Sequence, residues 1–191
     1  MTGFSTGFST QRLNLRQWRA ADRDPFAALT SDPEVMEYFP ATLSRQQSDA
    51  LIDRHQALLD AGKPGLFAVE VRETGEFIGF VGLAVPNFEA AFTPCVEIGW
   101  RLAQAHWGQG YATEAARAAL QVGFGQLALD EIVAFTAAPN LRSSAVMAKL
   151  GMQPDGRFEH PAVPVGHALR EHLLYRLSRE RWQALAAQQG Q

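Results

Sequence analysis

Val96-Glu97-Ile98-Gly99-Trp100-Arg101-Leu102, four further residues, and then Trp107-Gly108-Gln109-Gly110-Tyr111-Ala112-Thr113-Glu114-Ala115 form the stretch on which the reading of this 191-residue chain turns. Its first half has apolar residues at Val96, Ile98, Trp100 and Leu102, with Glu97, Gly99 and Arg101 between them. That period of two predicts a strand over Cys95–Leu102. Its second half is a run of small residues opening an alanine-rich helix, predicted near Tyr111–Gln126. Small residues let a backbone approach a ligand closely, and the free N–H groups of a helix start attract anions. Strand, glycine turn and helix together predict a cradle for a phosphate or pyrophosphate. Taken alone, the glycines read as readily as a plain strand-to-helix turn.

Two familiar cradles do not match. A dinucleotide-binding fingerprint needs glycine or alanine where Thr113 stands, and an acidic residue about twenty positions on. A nucleotide-binding Gly-Lys-Ser/Thr loop is absent.

Outward from this stretch, the chain alternates helical and strand periods. Towards the N-terminus, Arg12–Trp18 alternates like a strand, with Leu13 and Leu15 inward. A helix is predicted over Ala20–Thr30, and Asp32-Pro33 predicts a second, short one through Tyr38, stopped by Phe39-Pro40. Ser44 and Gln47 form a capping box for a third helix that ends at Gly62, with Pro64 beyond it. Leu66–Val71 and Phe77–Leu83 read as strands joined by a hairpin at Thr74-Gly75, and Asn87–Pro94 as a loop. Towards the C-terminus come strand Glu131–Ala137, helix Leu141–Leu150, strands near Met152–His160 and Ala168–Leu177, and a last helix. This order mixes hairpins with crossovers. It predicts an α/β chain of the α+β kind: one mixed sheet with helices on its faces, in a single domain over residues 11–191. Residues 3–10 repeat Gly-Phe-Ser-Thr, which reads as a flexible tail over residues 1–10.

Bulk properties narrow the function classes. A net charge of -3 gives no basic surplus for nucleic acid or an anionic membrane. No apolar run reaches the roughly 18 residues of a membrane span, and no signal-peptide pattern precedes or follows Arg12. Cys95 is the single cysteine, which excludes an intrachain disulfide and suggests a reducing, cytoplasmic setting. At the start of an apolar run it reads as a small hydrophobe rather than a nucleophile. His55, His106, His160, His167 and His172 have no metal-ligand spacing, so no metal is expected.

The glycine turn does not stand alone. Val96–Leu102 followed by Trp107–Ala115 resembles the acetyl-CoA signature of the GNAT superfamily, and most closely the branch containing the ribosomal-protein-alanine N-acetyltransferases. That superfamily's loop reads Arg/Gln-x-x-Gly-x-Gly/Ala. Gly110 and Ala112 fill its last two fixed places, and Trp107 replaces the first. A second segment, Pro139-Asn140-Leu141-Arg142-Ser143-Ser144 through Lys149-Leu150-Gly151-Met152, resembles the same branch's Asn-x-x-Ser run and its ending. Arg12–Arg16 and Asp32–Met36 resemble its first strand and second helix, so the likeness runs from Arg12 to about Leu177.

The resemblance implies a mostly antiparallel mixed sheet flanked by helices, and acetyl-CoA as cosubstrate. It implies that Trp100, Arg101 and Leu102 line the pantetheine arm through their backbone. Trp107, Gly108, Gln109, Gly110, Tyr111, Ala112 and Thr113 would hold the pyrophosphate. The acceptor is then a primary amine, attacking directly without a protein nucleophile, on a protein N-terminus or a small molecule.

Such a transfer needs a base for the amine and a donor for the departing thiolate. Glu97, on the strand face opposite Ile98 and Trp100, is the candidate base, acting through water, because it resembles glutamates on the equivalent strand of related enzymes; the competing reading is a glutamate on the wet side of the sheet. The resemblance also implies that Asn140 and Ser143 contact the cofactor; Asn140 is at the same time a good N-cap with Ser143 three residues on, a purely local explanation for both. Many relatives place a tyrosine acid where Met147 stands, which by elimination leaves Ser143 as hydrogen-bond donor to the departing thiolate. His160, before Pro161, is a candidate substrate contact or partner of Glu159 in base duty, or a turn residue. The acceptor site is expected near Phe39 and the loop from His160 to Leu169. Rival readings are a non-catalytic acyl-CoA sensor on the same fold and an unrelated nucleotide-binding enzyme. The expected state is a monomer or homodimer.

Overall fold

Strand alternation and helix caps place the elements largely where the pattern predicts them. The computed structural model describes residues 7–189. Its strands are β1 (Phe8–Ser9), β2 (Leu13–Arg16), β3 (Leu66–Val71), β4 (Phe77–Ala84), β5 (Glu97–Leu102), β6 (Glu131–Ala137), β7 (Gln153–Glu159) and β8 (Glu171–Ser178). Its α-helices are α1 (Arg23–Ser31), α2 (Arg45–Asp60), α3 (Tyr111–Gly125), α4 (Leu141–Lys149) and α5 (Arg179–Gln189). The strands form one sheet in the order β1-β2-β3-β4-β5-β6-β8-β7.

Every neighbouring pair is antiparallel except β5 and β6. Those two run parallel and pair only at Glu97 and Val133, where the Val133 N–H donates to the Val96 carbonyl at 3.0 Å. Beyond that point they diverge, leaving a wedge in the middle of the sheet.

One face of the sheet is covered by α3. Its Ala115, Ala116 and Ala119 are buried, and small side chains there let the helix lie close to Leu83 and Ile98. On the other face, Phe26 of α1 meets Phe80 of β4 at 6.0 Å between ring centroids, and Trp18 packs on Phe26 at 5.1 Å. The capping box that starts α2 is made: the Gln47 N–H donates to Ser44 Oγ, and Gln47 Oε1 accepts the Ser44 N–H. Ile52, His55 and Leu59 of that helix are buried.

Two expectations change. Asp32–Tyr38 is a chain of turns rather than a helix: Asp32 Oδ1 accepts the Glu34 N–H, and the 32–36 backbone bond is not followed by a second of its kind. Side-chain competition of this sort is why Asp favours turns. Of the tail predicted over residues 1–10, residues 1–6 lie outside the described residues, but Phe8 and Ser9 are a strand. They pair with Leu15 and Asn14, and Phe8 packs edge-on to Phe67. An apolar ring with a core partner was enough to hold that part of the repeat. Among the described residues, no helix is long and apolar enough to cross a membrane.

His55 links this fold to pH. Its Nδ1 accepts the Leu66 N–H at 3.3 Å in a buried setting, and burial, with the Arg54 charge, lowers its pKa to about 4. The folded value lies below the ordinary 6.5, so the neutral ring is favoured in the fold. Its contribution to stability is complete above pH 6.5 and is lost as pH falls through about 4. We expect His55→Gln to remove up to about 3 kcal/mol of the acid-side loss of stability. Urea titrations of both proteins at pH 7.5 and 4.5 check this; equal pH slopes would contradict it.

Candidate functional site

The wedge between β5 and β6 is where the sequence pattern converges. Because odd positions of β5 hydrogen-bond towards β4, with the Ala103 N–H continuing that ladder to Ile78 O, the main-chain groups of Ile98 and Trp100 turn towards the wedge. A strand edge of this kind accepts an extended polar chain as a further strand would be accepted. At its end, Trp107 Nε1 donates to the Leu102 carbonyl at 2.8 Å, which occupies that group and fixes the indole across the turn.

The turn itself is built by Gly108 and Gly110, at φ of +73° and +81°, where a side chain would be strained. Gly110 is the N-cap of α3 and has no side chain to cap with. The helix's first bond runs from the Glu114 N–H to Gly110 O, so the N–H groups of Tyr111, Ala112 and Thr113 lack intrahelical partners. Arg12 supports the turn from outside. Its Nη1 donates to Gln109 O at 2.9 Å, its guanidinium lies 4.6 Å from the Tyr111 ring centre, and it pairs with Glu114 at 2.7 Å. Donors at the helix start, glycines beside them and an open strand edge leading to them suit an elongated ligand with a pyrophosphate at one end.

Across the wedge, α4 begins at Asn140. Its Oδ1 accepts the Ser143 N–H at 3.1 Å, and its Nδ2 donates to Ser143 Oγ at 3.1 Å. The Ser143 oxygen is therefore an acceptor here, which leaves the hydroxyl hydrogen free to donate elsewhere. Met147 is buried, as a core residue of this helix. Arg142, in the first turn, stacks on the Trp107 ring at 4.3 Å and pairs with Glu37 at 2.8 Å, so it ties α4 to the glycine turn and to the turns before α2.

Glu97, Gly99 and Arg101 face the α1 side, beside Phe80. This is not the wet face of the sheet that the competing reading supposed. Glu97 is only partly exposed, no cation among the described residues pairs with it, and burial raises its carboxyl to about 7. A carboxyl poised there can accept or hold a proton near neutrality. Arg101 stacks on Phe39 at 4.0 Å and on Phe80 at 5.3 Å.

His160 stands with Phe88, Phe92, Phe135, Phe158 and His172 in an aromatic cluster that draws on the loop before β5 and on β6, β7 and β8; its ring is 4.6 Å from Phe88 and 4.8 Å from His172. Its Nδ1 accepts the Ala162 N–H in the following turn, and burial, followed by the neighbouring His172 and Arg170 charges, lowers its pKa to about 4. Glu159 is exposed and paired with Arg170 at 2.8 Å. The His160 ring is thus held neutral, with its Nδ1 engaged in that turn. Cys95 is no thiolate: burial, then the charge of Glu97, pushes it up to about 11. Among the described residues no group of three or more His, Cys, Asp or Glu side chains could hold a metal.

The main chain of Trp100, the turn Trp107–Thr113 and the pair Asn140–Ser143 gather around one wedge, whereas two of the expected backbone contacts are otherwise engaged: Arg101 pairs with Phe80 of β4, and the Leu102 carbonyl accepts from Trp107. Glu97 and Phe39 lie on its α1 side; His160 stands in the aromatic cluster around Phe135, two residues on from Val133, the pairing partner of Glu97. Two features escaped the sequence reading. The Arg101 side chain shares a face with Glu97 by alternation, but that it lies over Phe39 and Phe80 with Nε and Nη1 unpartnered depends on residues distant in sequence. Arg142 carries no local signal, because its partners Glu37 and Trp107 are distant in sequence.

Comparison with known proteins gives a concordant result. The sequence profile of a family described as Acetyltransferase (GNAT) domain matches residues 12–153. The chain is 31% identical over 173 residues to the N-acetyltransferase p20 of Bacillus licheniformis, covering 90% of this chain and 96% of the relative. It is 33% identical over 181 residues to the FsC-acetyl coenzyme A-N(2)-transacetylase of Aspergillus fumigatus, covering 91% and 76%. In fold it is similar to the ribosomal-protein-S5-alanine acetyltransferase of Vibrio fischeri, with a TM-score of 0.73 at 17% identity, over 93% of this chain and 98% of that one.

Proposed function

The chain belongs to the GNAT family of acetyltransferases, and from that premise we propose that it moves an acetyl group from acetyl-CoA to the nitrogen of a primary amine by direct attack. The observation that carries this reading is the wedge between β5 and β6 with the uncapped start of α3 at its end. The residues present fit the cosubstrate. The Ile98 and Trp100 main chain would offer donors and acceptors to the amide-bearing arm, and the amides of Tyr111, Ala112 and Thr113 would hold the diphosphate. The p20 and transacetylase relatives, both named for N-acetyl transfer, favour nitrogen as the acceptor atom.

When bound, acetyl-CoA supplies an activated acyl group. The chain's own residues do the rest. Glu97, with its carboxyl near 7, takes the proton that the attacking amine must lose. Ser143, whose oxygen is engaged by Asn140, offers its hydrogen to the departing sulfur from the positive end of α4. Serine does not ionise usefully at neutral pH, so its part is a hydrogen bond and not a proton transfer. The acceptor amine enters from the α1 side, between Phe39 and the face of β5.

Amine-dependent release of free thiol from acetyl-CoA tests this reading. Release with a panel of amines and N-terminal peptides is expected, and no release with any of them would count against turnover. In the same assay Ser143→Ala is expected to lower kcat about tenfold to a hundredfold, the worth of one hydrogen bond to a charged group. A kcat within twofold of the unaltered chain would remove Ser143 from the mechanism.

A further inference from the structure

Among the described residues Arg101 is a cation without a counter-ion. Its Nε and Nη1 are buried and have no hydrogen-bond partner, and no carboxylate among the described residues forms an ion pair with it. Leaving charged donors unpaired inside a protein is costly, and such groups are normally satisfied or put to use. Its surroundings are apolar and flat: the guanidinium lies over the rings of Phe39 and Phe80. Stacking of that kind holds the plane of the guanidinium and leaves its in-plane N–H edge to be matched by two oxygens of one group.

Its position along β5 adds a direction. Glu97, Gly99 and Arg101 share one face, and at about 3.3 Å per residue the Cα atoms of Glu97 and Arg101 are about 13 Å apart. The two side chains form no ion pair across that span, and Arg101 Nε and Nη1 stay without a partner. Between them, a Cβ built on Gly99 would meet no atom within 4 Å, so the floor joining the two charges is open. Phe39, which roofs Arg101, is itself 39% exposed, so this end of the floor lies close to the surface.

Resting on the acetyl-transfer reading above, we propose that the Arg101 guanidinium is the anion-recognising element of the acceptor site, and that the acceptor is an amino carboxylate. Its amine reaches Glu97 across Gly99, and its carboxylate meets the fork of Arg101. A planar, singly charged carboxylate matches one guanidinium between two apolar rings. A phosphate, which carries more charge, is usually met by several cations, and none stands beside Arg101 on this strand face. The reading also accounts for the burial of an otherwise unpaired charge.

The test titrates the full chain, saturated with CoA, with 6-aminohexanoate and with its carboxamide, and repeats both titrations with Arg101→Met. Acetyl-CoA-dependent thermal stabilisation is recorded on each sample. We expect the acid to bind about tenfold to a hundredfold more tightly than the amide in the unaltered chain. In Arg101→Met the ratio should fall close to one. Equal binding of acid and amide by the unaltered chain overturns the proposal, whether or not the variant folds. So does a ratio that survives Arg101→Met. Either of these outcomes with acetyl-CoA stabilisation intact removes the carboxylate and leaves acetyl transfer standing. No stabilisation by acetyl-CoA removes both.

Discussion

Glu97→Gln is expected to lower kcat by about two to three orders of magnitude while making the protein more stable at alkaline pH. The two effects share one cause. Burial raises the Glu97 carboxyl from 4.5 to about 7, so the fold prefers its protonated form. An acid whose folded pKa is raised contributes stability that is fully present below its unfolded value near 4.5 and is lost as pH rises through about 7. Above pH 7 the native chain therefore holds an unfavourable buried charge, and the neutral amide of Gln relieves it, by up to about 3 kcal/mol. Activity runs the other way, because the ionised carboxylate is the form that takes a proton; kcat/KM should rise through about pH 7 and lose that rise in Glu97→Gln. Urea unfolding at pH 8 and pH 5, beside the rate profile, separates this from a solvated glutamate of no special role. A variant with unchanged rate and unchanged stability at pH 8 would place the base elsewhere.

Gly99→Leu should act on the acceptor alone. Gly99 does not need a positive φ, and a Cβ there meets nothing within 4 Å, so the strand accepts a side chain. That side chain would occupy the floor between Glu97 and Arg101, on the face opposite Ile98 and the α3 layer. We expect a folded protein, a loss of about a hundredfold or more in kcat/KM for the amine, and undiminished stabilisation by acetyl-CoA. That size reflects how steeply misplacing a reactant by about 1 Å reduces rate. Full activity in Gly99→Leu would mean that the amine does not approach over this face.

How far these features could be read in advance depended on how local their causes are. The strand β5 was legible because its apolar residues alternate. The start of α3 was legible because Gly108 and Gly110 mark a turn that other residues enter only with strain. The capping box of α2 was written in Ser44 and Gln47, which contact each other across three residues. By contrast, Asp32-Pro33 carries the same signature whether a helix or a series of turns follows; here the Asp32 side chain bonds to Glu34 and no helix propagates. The strand at Phe8–Ser9 depended on Phe67, nearly sixty residues away, and composition alone read the segment as a tail. In the same way, the burial that raises the Glu97 carboxyl is set by what packs over its face of β5 and is not written in the alternation of the strand. A residue's face is a local property; what covers that face is not.

This distinction bears on the chemistry. Alternation placed Glu97 and Arg101 on one side of β5, but it could not say that one would be a carboxyl poised near neutrality and the other a guanidinium without a partner. Likewise Asn140 and Ser143 satisfy an ordinary helix cap, and only the orientation of the Asn140 amide shows that the serine hydrogen is left to donate.

Thermal unfolding with and without acetyl-CoA, with CoA, ATP and NAD as controls, tests the central claim most directly. Binding to the native state alone adds about 2.7 kcal/mol at a hundred times the dissociation constant, a rise in Tm that is readily measured. The wedge between β5 and β6 and the open start of α3 predict stabilisation by acetyl-CoA and CoA, and none by ATP or NAD. An unchanged Tm at saturating acetyl-CoA would contradict the account and reduce the glycine turn at Gly108–Ala112 to a connection between strand and helix.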